Sequence, residues 1–317
     1  MRFRYFACLL ALPLFAGCTI EPTANGLEIV PRLPYESRPE ALGAPLVWNG
    51  EAIDVEVERG NIEVVGSPSA KEMTVTANAT TWARNADDAG SLARAFVATA
   101  RVERSASGAL RVTCRVPSGS FGSALVETSQ CNVRVVVPAD ARPHAVRVVA
   151  QDGFVYLQRL TSSPSTAIVA SGIEVEATQL RGNVGVRSYW ADVEVKPTPG
   201  ARIYVGSASD DWYDLPTLSP TPKRGEGGEA KFGATLRLPK DFRARRVDMS
   251  SAGAAVEHFE FPDVRPGAPR GAVDASAAEY VAVHANQGNA TLLALDDTVT
   301  GSRTTNLGTI AREPWRD

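Results

Sequence analysis

The densest grouping of chemically able side chains is Asp210-Asp211-Trp212-Tyr213-Asp214. Three carboxylates this close supply the oxygen ligands that a calcium ion takes, and the rings between them can stack on a sugar face. Tyr189-Trp190 could extend the same platform. Clustered acids also serve glycoside hydrolysis as acid and base, so binding and carbohydrate chemistry both start here. The plainer expectation is a solvated loop whose aromatics close the edge of a core. The rest of the chain offers little catalytic material. His144, His258 and His284 are its only histidines, and none shows the His-x-x-x-His spacing that brings two ligands to one metal. There is no Gly-x-Ser-x-Gly elbow and no glycine loop ending in Lys-Ser/Thr for phosphate. A catalytic site and a confident metal site are therefore not expected, and calcium is the sole cofactor left open.

The four cysteines divide by position. Cys8 lies in a segment that opens with Arg2 and Arg4 and continues as an apolar run from Phe6 to Phe15. That run is far short of the roughly 20 residues a spanning helix needs, and with its charged start and small-residue end it describes a secretion signal. The segment closes on Leu14-Phe15-Ala16-Gly17-Cys18. Small residues before a cysteine permit cleavage there, and a thiol can take a thioether-linked lipid. Ala16, Gly17 and Cys18 resemble the bacterial lipoprotein lipobox, with Phe15 in place of the commoner aliphatic residue. The resemblance implies an exported chain held by lipid on Cys18, and Thr19 after that cysteine fits transport to the outer membrane, at its periplasmic or surface face. More than one acyl chain makes such anchoring effectively permanent.

Cys114 and Cys131 remain, in neighbouring strand-like segments joined by a Ser/Gly-rich loop. Two cysteines in an oxidising compartment predict a disulfide. The chain carries 33 basic against 36 acidic side chains. Two of the basic ones leave with the signal, and the mildly acidic remainder argues against nucleic acid as a partner.

Period-two alternation dominates the rest. Ile53-Asp54-Val55-Glu56-Val57 alternates strictly, and strand-like runs recur about every 8–12 residues through the middle of the chain. Glycine precedes several of them, at Gly60-Asn61-Ile62, Gly153-Phe154, Gly172-Ile173 and Gly182-Asn183-Val184. One helix is expected near residues 87–100, with Asp87-Asp88 at its start and Leu92, Ala95, Phe96 and Thr99 on one face. The predicted fold is all-β: a right-handed β-helix or solenoid-like stack of short strands with that one helix, the alternative being a β-sandwich. The division follows as a signal peptide at 1–17, a Pro-rich tether at 18–45, an all-β domain at 46–300 and a tail at 301–317.

Gly60-Asn61-Ile62-Glu63-Val64, Arg134-Val135-Val136-Val137-Pro138 and the ladder Gly153-Phe154-Val155-Tyr156, Gly172-Ile173-Glu174-Val175, Gly182-Asn183-Val184-Gly185-Val186 together resemble the bacterial "adhesin domain" of unknown function, related to the head-GIN family of proposed auto-transporter adhesins. The similarity covers about residues 50–260 and implies a β-helix-like stack at a cell envelope, with no catalytic residues. The chain departs from that pattern between Arg237 and Phe261. The expected function is a non-enzymatic envelope lipoprotein that presents its β-surface to a protein or glycan. The competing classes are a carbohydrate-active β-helix enzyme and a purely structural or regulatory envelope component.

Overall fold

The computed structural model describes residues 18–23, 26–31, 33–83, 85–106, 108–118, 129–139, 143–206, 233–239, 242, 244, 246–251, 256–258, 270–271, 277–285 and 288–295. The first strands are β1 (Cys18–Thr23), β2 (Gly26–Pro31), β3 (Leu33–Glu36), β4 (Glu40–Ala41), β5 (Ile53–Val57), β6 (Ile62–Ser67) and β7 (Thr74–Ala83). Helix α1 (Ala86–Val97) follows, then β8 (Arg101–Arg104), β9 (Leu110–Cys114), β10 (Gln130–Pro138), β11 (Val146–Ala150) and β12 (Phe154–Gln158). Two long strands come next, β13 (Ile168–Arg181) and β14 (Val184–Lys196), and then β15 (Arg202–Gly206) and β16 (Gly233–Pro239). The last are β17 (Arg246–Ser251), β18 (Val256–His258), β19 (Arg270–Gly271), β20 (Tyr280–Ala285) and β21 (Asn289–Leu295).

All but β1 and β2 join a single 19-stranded mixed sheet, which curls so that two columns of parallel strands face each other. The first column runs β9, β5, β11, the first half of β13, the first half of β14, β15, β20, β17. The second runs β10, β6, β12, the second halves of β13 and β14, β16, β21, β18. Each layer therefore gives one strand to each column. Alternation explains the arrangement: Ile53, Val55 and Val57 in the first column and Ile62 and Val64 in the second are buried in one continuous core. Asp54, Glu56 and Glu63 between them stay part-exposed. Each fully buried Val, Leu or Ile contributes about 1.5–3 kcal/mol by leaving water.

Layer order departs from chain order at both ends. The second pair along the chain, β9–β10, lies outside the first pair, β5–β6. At the far end the last pair, β20–β21, slots between β15–β16 and β17–β18. The near end is closed by β7, antiparallel to β10, and by α1, whose Leu92, Ala93 and Phe96 enter the core. Asn85 caps α1 by accepting a hydrogen bond from the Asp88 amide at 2.9 Å. The exposed Arg101, Glu103 and Arg104 of β8 line the outermost strand there, charge that discourages further strand pairing.

The turns between the columns are stitched from layer to layer. Asn61 Nδ2 donates to Asn132 Oδ1 at 3.0 Å, and the Phe154 amide donates to Asn61 Oδ1 at 3.1 Å. Cys114 and Cys131 are disulfide-bonded, with Cα atoms 6.4 Å apart, and tie the two strands of the outermost layer. In the Pro-rich stretch near the chain start, β1 and β2 form a separate hairpin, while β3 and β4 pair with β7. The segment after residue 261, whose place the sequence leaves open, contributes β20 and β21 to the middle of the far half.

Candidate functional site

The second column points two rows of aromatic and acidic side chains away from the core. In one row Phe154 is in register with Glu174, and Glu174 with Trp190. In the next, Glu63 lies beside Tyr156, Tyr156 beside Glu176, and Glu176 beside Asp192. Alternation puts them there, because Val155, Leu157, Val175, Ala177, Ala191 and Val193 between them are fully buried. Phe154, Tyr156, Trp190, Asp192 and Glu194 are part-exposed, whereas Glu174 and Glu176 are buried.

Two arginines brace the acids. Arg237 grips Asp192 with both arms, Nε to Oδ1 at 3.0 Å and Nη2 to Oδ2 at 2.8 Å. Paired, planar contacts of this kind fix geometry as well as charge. Arg134 Nε lies 3.3 Å from Glu63 Oε2. The face is thus a preset array of part-exposed rings and hydrogen-bond acceptors, acidic on balance.

Of the residues the sequence singles out, Asp210, Asp211, Trp212, Tyr213 and Asp214 lie outside the described residues, so the calcium expectation at these acids is not addressed. The strands on either side of them are described: β15 ends at Gly206 in register with Arg187, and β16 begins at Gly233 in register with Trp190. Tyr189 and Trp190 are both part-exposed within β14, where Ser188 Oγ donates to the Trp190 carbonyl at 2.8 Å. Among the described residues no group of three or more His, Cys, Asp or Glu is placed to hold a metal ion. Cys18 is the first residue of β1.

Phe154, Tyr156, Glu174, Glu176, Asp192 and Arg237 had no part in any site expected from the sequence, though Phe154, Tyr156 and Glu174 stand in the strand motifs named there. Each sits at an outward position of an alternating strand, which was the available signal. Nothing in the strands themselves says which layers adjoin.

Two histidines behave unlike surface residues. His144 is fully buried, stacks on Trp48 with ring centroids 5.0 Å apart, and accepts a hydrogen bond at Nδ1 from the Thr161 amide at 3.0 Å. His284 is buried beside Tyr204, and desolvation lowers its pKa from 6.5. At the near end, Arg104 donates to Glu51 at 2.7 Å and pulls that carboxyl from 4.5 down to about 2. A separate polar pocket of about 270 Å³ lies beside the disulfide, lined by Glu56, Glu58, Thr113, Cys114, Arg115 and Gln151.

No protein-family profile matches the chain, and no curated protein is similar to it. Among solved structures it is similar to a "putative cell adhesion protein" from Clostridium sporogenes, at 9% identity and a TM-score of 0.39. That likeness covers 83% of this chain and 100% of the other. No described helix is long and apolar enough to cross a membrane.

Proposed function

We propose that this chain is a non-enzymatic lipoprotein of the bacterial cell envelope, anchored through Cys18, that offers the outward face of the second column to an envelope protein or glycan. One observation carries the binding reading: Phe154 and Tyr156 on β12 line up in register, through Glu174 and Glu176 of β13, with Trp190 and Asp192 on β14. Rings and braced carboxylates set out on a rigid sheet suit recognition, since little ordering is left to be done on binding. We read the two-column stack as a right-handed β-solenoid, in keeping with the handedness of parallel β connections. The leader with its lipobox-like end supports export and anchoring, and the Cys114–Cys131 disulfide suits an oxidising compartment.

Cross-linking in intact cells tests this. A C-terminally tagged protein is recovered beside a Cys18→Ala version, and labelled fatty acid reports lipidation. Label on the parent alone, with one envelope protein or glycan enriched only by the tethered form, supports the reading. An unlabelled parent removes the anchor, and the same recovery from both forms, or from neither, removes the envelope-presented binding role.

A further inference from the structure

We infer that the outward face of the second column binds an extended, uncharged β-1,4-linked glycan that runs along the stack, across the strands rather than beside them. The inference rests on the binding reading above and names the ligand class of the same face.

Spacing makes the case. Phe154 is in register with Glu174 and Glu174 with Trp190, so Phe154 and Trp190 occupy one row two strand positions apart. At about 4.8 Å between neighbouring strands, that separation is roughly 9.6 Å. It is comparable to the repeat of one disaccharide in an extended β-1,4-linked chain. Alternate sugars, which turn the same face to one side of such a chain, would then meet Phe154 and Trp190, while Tyr156 in the neighbouring row adds a third ring. Both ring-bearing positions and Tyr156 are part-exposed, as ligand contact requires.

The polar groups fit hydroxyl-rich sugar. Asp192 is held rigid by Arg237 at 3.0 and 2.8 Å, and Glu194 on the same strand is part-exposed. Ionised carboxylates accept hydrogen bonds from sugar hydroxyls. The part-exposed carboxylates of Asp192 and Glu194 disfavour a glycan that carries its own carboxylates.

Calorimetric titration of the folded, anchor-free chain with fully N-acetylated, and therefore uncharged, chito-oligosaccharides of two to six sugars tests this, with a hyaluronan hexasaccharide as the charged β-linked control. The hexamer is expected to bind more tightly than the dimer, and hyaluronan not to bind. Phe154→Leu and Trp190→Leu keep an apolar side chain but remove the ring. Each is expected to weaken the hexamer roughly five- to ten-fold, the order of one lost stacking contact. An unchanged thermal midpoint checks that both variants fold, and quenching of tryptophan fluorescence by the hexamer, lost in Trp190→Leu, gives a second readout. Failure of the parent to bind the hexamer, equal binding of hyaluronan, or binding indifferent to both substitutions would overturn the inference. If the hexamer fails while cross-linking in cells still recovers a partner, the glycan assignment falls and the envelope-binding reading stands. If both fail, both fall.

Discussion

At Gly153 a single methyl group would collide with the stack. A Cβ built there lies 1.8 Å from the carbonyl oxygen of Gly60, in the neighbouring layer, and backbone cannot yield as a flexible side chain can. Gly60 stands in the same relation to the next layer, with its Cβ position 1.9 Å from the Cys131 carbonyl oxygen and a φ of +135°. The column of turns therefore closes only because these residues lack side chains. Gly153→Ala is expected to cost roughly 3 kcal/mol or more, at the upper end for one substitution, read as a fall in the urea midpoint. Gly108→Ala, where nothing lies within 4 Å, meets only the strain of its φ of +83° and should cost less. His284 sets a pH dependence. Burial lowers its folded pKa, so on acidification through 6.5 the unfolded chain takes up the proton while the folded one resists. The unfolded state then binds more protons, and stability falls as pH drops below that value. Urea titrations at pH 7.5 and pH 5 should show a smaller loss for His284→Gln than for the parent. An equal loss in both would remove His284 as the cause.

Among the elements, the outermost layer depends most on a covalent tie. Cys114 and Cys131 close a loop of 17 residues. The chain-entropy account assigns such a loop about 3 kcal/mol. Reduction, or the double change Cys114→Ala with Cys131→Ala, is expected to lower stability by about that amount. It should also raise amide exchange first in β9 and β10, whose layer has only one parallel neighbour in each column. Uniform loosening of every layer would contradict this. Much at this scale was legible in the sequence. Ile53-Asp54-Val55-Glu56-Val57 announced β5, the cysteines announced their bond, and Asp87-Asp88 with Leu92 and Phe96 announced α1 one residue from its observed start, although α1 stops at Val97, short of 100, and leaves Thr99 outside it. Adjacency was not legible. Val55 pairs with both Val112 and Val148, yet a period-two pattern is the same for every strand and carries no address. The candidate face was half legible for that reason. Tyr189-Trp190 stood out by composition, whereas Glu174 joins Phe154 and Trp190 only once the layers are known.

Over the whole molecule, the two exchanges of layer order turn a stack into an interlocked body. In a simple repeat array, each unit touches only its sequence neighbours, and removing the last unit leaves the rest nearly intact. Here β20 pairs with both β15 and β17, and β21 with both β16 and β18. The last strands of the described chain are therefore an inner layer, and β17–β18 have no other parallel neighbour among the described residues. Ending the chain after residue 276 would withdraw that inner layer and strand the one outside it. Hydrogen exchange on such a truncation is expected to show protection lost across 246–258 as well as along the exposed edges of β15 and β16. The middle layers, β11 to β14, should keep theirs because both columns there retain neighbours on each side. The aromatic–acid face lies on those middle layers. A truncated chain that still folds from β5 to β16, and so keeps Arg237 on Asp192, should hence retain the proposed glycan binding while losing its far end. Protection that survives in 246–258 would mean that β17–β18 can rejoin β15–β16 directly, and that the exchanged order is a late choice of the chain and no requirement of its stability.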